Sequence, residues 1–218
     1  MRKITMTLLG LVAFSTSALA QQEVKFGPKA GINFANLSGD VEDNKMLIGF
    51  HVGAFAEIMF SDKFAIQPEV LYSVQGSKME ESGSVMGVSY SGESDTKINY
   101  ISIPIMAKYY ITESFAVEAG PYVGFVASAN SKGSASVAGI TTEFDEDIKD
   151  QINSVDFGLG LGLSYNLDNG FFIGARGTFG LTTIDKDYTE NVGGTQVTVE
   201  AADIKNMPVI QVGVGYKF

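Results

Sequence analysis

Toward its C-terminus the chain places Ile210, Val212, Val214, Tyr216 and Phe218 on one face and Gln211, Gly213, Gly215 and Lys217 on the other. Period-two alternation is the mark of a β-strand with one apolar and one polar side. Here it runs without a break to the terminal aromatic residue. A strand that is apolar on one face needs something apolar against it, either a protein core or lipid. The rest of the chain decides between them.

Seven further segments alternate in the same way, so that strands are expected at 25–36, 47–60, 64–76, 98–111, 115–129, 153–167, 171–182 and 206–218. In the second, Ile48, Phe50, Val52, Ala54, Ala56, Ile58 and Phe60 share one face, and Gly49, His51, Gly53, Phe55, Glu57 and Met59 the other. The sixth sets Phe157, Leu159, Leu161, Leu163 and Tyr165 against Asp156, Gly158, Gly160, Gly162 and Ser164. The connections alternate in length. Ser61-Asp62-Lys63, Thr112-Glu113-Ser114 and Asp168-Asn169-Gly170 are three-residue turns of turn-forming types, whereas 37–46, 77–97, 130–152 and 183–205 are long.

Short turns at one end, long loops at the other and about 9–11 residues per crossing are the arrangement of an outer-membrane barrel. Aromatic placement agrees. Phe60, Phe64, Tyr109, Phe115, Tyr165, Phe171 and Phe218 fall on the apolar register beside the turns, and Phe34, Phe50, Tyr72, Phe125, Phe157 and Phe179 near the loops. At roughly 3.3 Å per residue and a tilt of about 40°, these positions lie roughly 20–25 Å apart, the height of an apolar band between two girdles. A β-sandwich would not set aromatics at two heights on nearly every strand. A soluble lipocalin-like barrel would point its apolar face inward. The expected fold is therefore all-β: an eight-stranded antiparallel up-and-down transmembrane β-barrel.

The first 20 residues stand outside it. Arg2 and Lys3, the apolar stretch Leu8 to Phe14 and Ala18-Leu19-Ala20 make a cleaved secretory signal peptide, leaving residues 21–218 as one barrel domain beginning at Gln21. The chain has no cysteine, which excludes a lipid-anchored lipoprotein, a disulfide scaffold and thiolate chemistry. Its formal charge of -10 becomes -12 without Arg2 and Lys3. A chain this acidic is a poor nucleic-acid binder, since phosphate contacts need Lys and Arg. The long links hold 17 of the 25 acidic residues, which marks them as an acidic surface. Pro68, Pro104, Pro121 and Pro208 fall inside expected strands. A closed barrel has no edge to hide a missing N–H, so local bulges are expected there.

Several short pieces resemble a known family. Gly31-Ile32-Asn33-Phe34, Gln67-Pro68-Glu69-Val70-Leu71-Tyr72-Ser73, Ile103-Pro104-Ile105 with Lys108-Tyr109, and Glu118-Ala119-Gly120-Pro121-Tyr122 are similar to PorT-type, often "porin-family", outer-membrane β-barrel proteins of Bacteroidetes. Asp156-Phe157-Gly158-Leu159 and the final Gly215-Tyr216-Lys217-Phe218 fit as well. The resemblance covers essentially the whole mature chain. It implies the barrel fold and the outer membrane, and suggests that prolines inside strands are a family habit. It does not establish a pore. The even count of eight strands puts both termini on the short-turn, periplasmic side.

On this register Lys29, His51, Glu57, Gln67, Glu69, Lys108, Glu118, Asp156, Arg176 and Gln211 point inward. Eight-stranded barrels have interiors just wide enough for side chains to fill. The leading expectation is a non-enzymatic surface protein whose acidic loops mediate contacts or help maintain the envelope, its bore filled by a structural polar network in which Arg176 and Lys108 neutralise Glu57, Glu69, Glu118 and Asp156. The second is a narrow pore lined by the same residues, with inward glycines leaving room. The third is a lipid-modifying enzyme built on His51, which lacks a nucleophile elbow beside it. One histidine precludes a multi-histidine metal site, and Asp145-Glu146-Asp147 lacks the ligand spacing of a calcium loop. No catalytic residue, metal or cofactor is expected. The expected partners are outer-membrane lipid, the barrel-assembly machinery reading Tyr216 and Phe218 as its signal, and an extracellular ligand or protein at the loops. A monomer is expected, and Ser131 to Gly139 reads as mobile loop.

Overall fold

The computed structural model describes residues 23–39, 44–85, 87–192, 195–206 and 208–218, so the signal peptide of the sequence reading lies outside the described residues. Eight strands form the wall: β1 (Val24–Ala35), β2 (Asn44–Ser61), β3 (Phe64–Val85), β4 (Val88–Tyr110), β5 (Phe115–Val137), β6 (Val155–Asn166), β7 (Phe171–Gly180) and β8 (Val209–Tyr216). Each pairs antiparallel with the next, and β8 closes on β1 from Lys29↔Gly215 to Phe34↔Ile210. The result is a closed up-and-down barrel with no edge in its wall.

The alternation places the side chains as read. Ile48, Phe50, Val52, Phe157, Leu159, Leu161, Val212 and Val214 stand on the outer surface, together with both aromatic girdles. This outside-in distribution suits lipid, because the apolar face looks away from the protein. At the C-terminus, Phe218 N–H donates to Phe26 O at 2.9 Å, and its ring packs on Tyr216 at 4.9 Å between centroids. The last residue is thus fixed to the wall.

Two of the long links are not loops. β3 and β4 stay paired from Phe64↔Tyr109 to Val85↔Val88, and β4 and β5 from Tyr110↔Ala116 to Tyr90↔Val137. A further strand, Ile140–Asp147, turns back along β5 from Val137↔Ile140 to Asn130↔Asp147. Strand pairing therefore continues about ten residues past the apolar band, roughly 30 Å of extended chain, and forms a protruding sheet. Ser131 to Val137, expected as mobile loop, is part of strand β5, and Ala138 and Gly139 are its turn with positive φ of 52° and 83°. These residues carry no apolar alternation, so hydrophobicity cannot reveal them. Their order comes from backbone pairing to neighbours on both sides.

The prolines also differ from expectation. Register shifts occur at Met46/His51, Met59/Ser61 and Asn99/Tyr100, none of them at a proline. Instead, the ladder is interrupted without a shift. Pairing of β2 with β3 skips from Phe55↔Glu69 to Ile58↔Ile66, passing Pro68. Pairing of β3 with β4 skips from Pro68↔Ile105 to Leu71↔Ser102, passing Pro104. Pairing of β4 with β5 skips from Pro104↔Tyr122 to Ala107↔Ala119, passing Pro121. Each missing N–H leaves a gap on one side while the other side of the strand stays paired, which needs no inserted residue. Pro208 lies just before β8, where a strand tolerates proline.

Candidate functional site: the filled bore

The bore is built in tiers, and the central tier draws on alternate strands. Lys29 on β1, Glu69 on β3, Glu118 on β5 and Arg176 on β7 meet at one height. Strands β3 and β7 lie opposite one another, so Arg176 reaches across the whole lumen. Its Nη1 and Nη2 donate to both oxygens of Glu69 at 3.0 and 2.6 Å, and its Nε donates to Glu118 Oε1 at 2.7 Å. The planar fork suits this bidentate bond, which a lysine would not reproduce. Lys29 Nζ adds bonds of 3.2 and 3.3 Å to Glu69. All four residues are buried, Glu69 to 1% exposure.

Toward the short turns a second tier centres on Glu57. Its carboxylate accepts from Lys108 at 2.8 Å, from Lys217 at 2.7 and 2.9 Å, and from the Tyr110 hydroxyl at 2.8 Å. Both ammonium groups lie 5.5 Å from the Phe172 ring centre, where the ring quadrupole adds attraction. Gln67 joins the tiers, accepting from Lys108 at 3.0 Å and donating to Glu69 at 2.7 Å. Four cations thus meet three carboxylates, and every one of those carboxylates has a cationic partner. Lys217 belongs to this tier although it was not singled out from the sequence. Its place on the polar face of the last strand was the available signal.

Asp156 is not part of that network. It sits near the other end of the bore and accepts from Tyr122 Oη at 3.0 Å, Thr182 Oγ1 at 2.8 Å and Asn206 Nδ2 at 3.1 Å, with no cation among them. Arg176 and Lys108 therefore neutralise three of the four carboxylates assigned to them. Inwardness was legible for Asp156, but height along the bore was not, and height decides its partners.

His51 lies between these tiers. It contacts Asn33 Oδ1 through Nδ1 at 2.8 Å, and Asn33 also donates to Phe50 O and Ser73 Oγ at 3.0 Å. Nε2 of His51 and Oγ of Ser164 have no hydrogen-bond partner, and both residues line a cavity of about 10 Å³ with Lys29, Glu118, Arg176 and Gln211. That volume admits about one water, not a lipid. Gly31 and Gly213 make the room: a Cβ on Gly31 would stand 2.5 Å from the imidazole, and one on Gly213 3.0 Å from it. The inward glycines here are filled space.

Above Asp156 the bore is closed by an apolar cap. Leu37, Ile98, Tyr100, Val126, Ala129, Ile152 and Ile184 pack as one buried cluster, with Ile148 and Ile204 against it. Three connections knit the cap. Leu37–Gly39 pairs with Ile204–Asn206, Ile184 N–H donates to Ile204 O at 2.7 Å, and Asn153 Nδ2 holds Thr183 O and Asp185 O. At the opposite, short-turn end a cavity of about 730 Å³ opens outward, with Glu57, Tyr110 and Lys217 among its lining. It is a vestibule that ends on the ion-paired tier.

With this geometry in place, comparison with known proteins settles the family. The profile of the family described as "Outer membrane protein beta-barrel domain" matches residues 19–186, most of the chain. The chain belongs to this outer-membrane β-barrel family. Its place is accordingly the bacterial outer membrane. Among solved structures it is similar to Ail, the attachment invasion locus protein of Yersinia pestis, in complex with the heparin analogue sucrose octasulfate. Identity is 18%, over 90% of this chain and 99% of that one, with a TM-score of 0.45. It is also similar to Neisserial surface protein A, at 16% identity, 90% and 99% coverage and a TM-score of 0.46. OprG from Pseudomonas aeruginosa gives 18%, 90% and 95%, and 0.43. Among curated proteins none matches.

Proposed function

We propose that this is a non-enzymatic outer-membrane barrel of PorT type whose bore is a structural plug and whose working surface is the protruding acidic sheet. The observation that carries this reading is the closure of the lumen by both Arg176 bridging β7 to β3 and the apolar cap. Short turns mark the periplasmic end and the protruding sheet the extracellular end, as is usual for such barrels. Both termini are then periplasmic. Residues 1–20 act as the cleaved leader, Tyr216 and Phe218 as the signal read by the assembly machinery, and the barrel works as a monomer in contact with lipid.

The sheet is a better contact surface than a set of loops, because its side chains are held in fixed rows. On its outward face Lys78, Asp95, Lys132 and Asp145 form one transverse row, with ion pairs of 3.1 Å between Lys78 and Asp95 and 2.8 Å between Lys132 and Asp145. Glu80, Glu93 and Glu143 lie in the next row, where Lys45 pairs with Glu80. Trimming the hairpins back to Ser77↔Thr96 and Ser131↔Glu146, with short turns inserted, spares the cap and the wall. The trimmed barrel is expected to fold, shown by a gel mobility that changes on boiling, and to lose its envelope or binding phenotype. A trimmed barrel with every phenotype intact would remove this reading.

The second reading is a narrow small-solute channel, favoured by the vestibule of about 730 Å³. It requires the ion-paired tier to part. The lipid-modifying enzyme is not favoured by any observation: His51 is 1% exposed and faces a cavity of about 10 Å³.

A further inference from the structure

The strand Ile140–Asp147 ends the protruding sheet. It pairs with β5 on one side, no described strand pairs with its other side, and all eight of its residues are exposed. An open strand edge carries a row of unmet backbone donors and acceptors and is a template for another strand. What could add there is set by the side chains that the edge presents on its two faces.

On the outward face, three successive transverse rows all end in a carboxylate. Lys78, Asp95, Lys132 and Asp145 alternate in sign across four strands and stop on a negative charge. The row on one side of it ends at Glu143, and the row on the other runs Lys97, Asn130, Asp147. Opposite charges directly across strands attract, and like charges repel. The position that continues each row beyond the edge is therefore a site for a cation. On the inward face two of the four rows end in apolar groups, and the other two in Thr142 and Glu146. Tyr90, Val137 and Ile140 form one apolar-ended row, with Ile140 74% exposed, and Ser94, Gly133 and Phe144 the other. The Phe144 ring lies over Gly133, where a Cβ would come within 2.7 Å of it.

We propose that this edge binds an extended polypeptide segment of a partner protein by strand addition, and that the segment alternates Lys or Arg with apolar residues. The backbone of the segment extends the ladder. Its cations meet Glu143, Asp145 and Asp147, and its apolar side chains cover Ile140 and Phe144. The edge carries Glu143, Asp145, Glu146 and Asp147 and no cation, so a second copy of this chain would set like charges face to face. The same charges repel acidic strands, which makes the edge selective. This inference rests on the sheet being the contact surface and adds the chemistry of the partner.

The test uses the full barrel, refolded from residues 21–218 into lipid nanodiscs, and three eight-residue peptides of equal charge. One alternates Lys and Val, one has four Lys followed by four Val, and one is the alternating peptide methylated on the backbone nitrogen of every Lys, because Glu143, Asp145 and Asp147 turn their backbone groups to the open edge and would face those residues. Binding is read by fluorescence anisotropy at about 0.15 M salt, where loosely held surface charges are screened, and amide exchange is followed over residues 140–147. The alternating peptide is expected to bind at least tenfold tighter than the other two and to slow exchange within 140–147. The Glu143→Gln/Asp147→Asn variant is expected to lose most of that advantage. Equal binding of all three peptides, or binding that leaves 140–147 unprotected, would overturn the proposal, because the carboxylates would then only blunt the edge. A trimmed barrel that loses its phenotype while no peptide adds to the edge would overturn strand addition alone. A trimmed barrel with its phenotype intact and a peptide on the edge would overturn the contact-surface reading instead.

Discussion

Arg176→Met is expected to destabilise the refolded barrel by about 3–5 kcal/mol, the usual consequence of removing one partner from a buried ion pair. In the parent, this guanidinium crosses the bore and holds Glu69 and Glu118 at once. Without it Glu69 keeps Lys29 and Gln67, while Glu118 is left in the bore with no ion-pair partner. Arg176→Lys is expected to fall between the two, since an ammonium retains the charge but not the fork. The measurement is the urea midpoint followed by tyrosine fluorescence in a fixed lipid. A methionine variant within about 0.5 kcal/mol of the parent, the ordinary range of an inconsequential substitution, would show that the central tier does not brace the wall.

Glu57→Leu should come close to that effect, for the opposite electrostatic reason. Glu57 is the one carboxylate shared by Lys108 and Lys217, and Lys108 is fully buried. Its loss leaves two ammonium groups beside each other, with Gln67 and Tyr110 as the remaining oxygen partners. A cost of about 3–5 kcal/mol is expected. The double variant Glu57→Leu/Lys108→Leu is expected to recover at least half of it, because an apolar pair of similar volume removes both desolvated charges together. Strict additivity of the two single variants would mean that the groups do not act as a pair.

Most of the wall could be read from the alternation. The three-residue turns leave little freedom in register, and a slip by one residue would turn Phe157, Leu159 and Leu161 into a polar bore. The parts that could not be read are those where apolar periodicity carries no information. Ser77 to Val85 and Ser131 to Val137 are mostly polar on both faces, so their composition is that of loops, and their strand character comes from pairing. In the bore, Lys29, His51, Glu57, Glu69, Lys108, Glu118, Asp156 and Arg176 were all identified as inward, but the period of two reports face and not height. Height separates Asp156, with Tyr122 and Thr182, from Arg176, with Glu69 and Glu118. The apolar cap was hidden for a related reason. Leu37, Ile152 and Ile184 are single apolar residues in polar connections, and only the folded chain brings them over one opening.

Closure of the bore is the central claim, and planar-bilayer conductance of the refolded chain, residues 21–218, tests it most directly. The filled bore predicts a folded, heat-modifiable barrel that inserts and stays electrically silent, and the same silence in the barrel trimmed to Ser77↔Thr96 and Ser131↔Glu146. Reproducible ion-selective steps from the parent barrel would contradict it and would make Arg176, Glu69 and Lys108 pore residues.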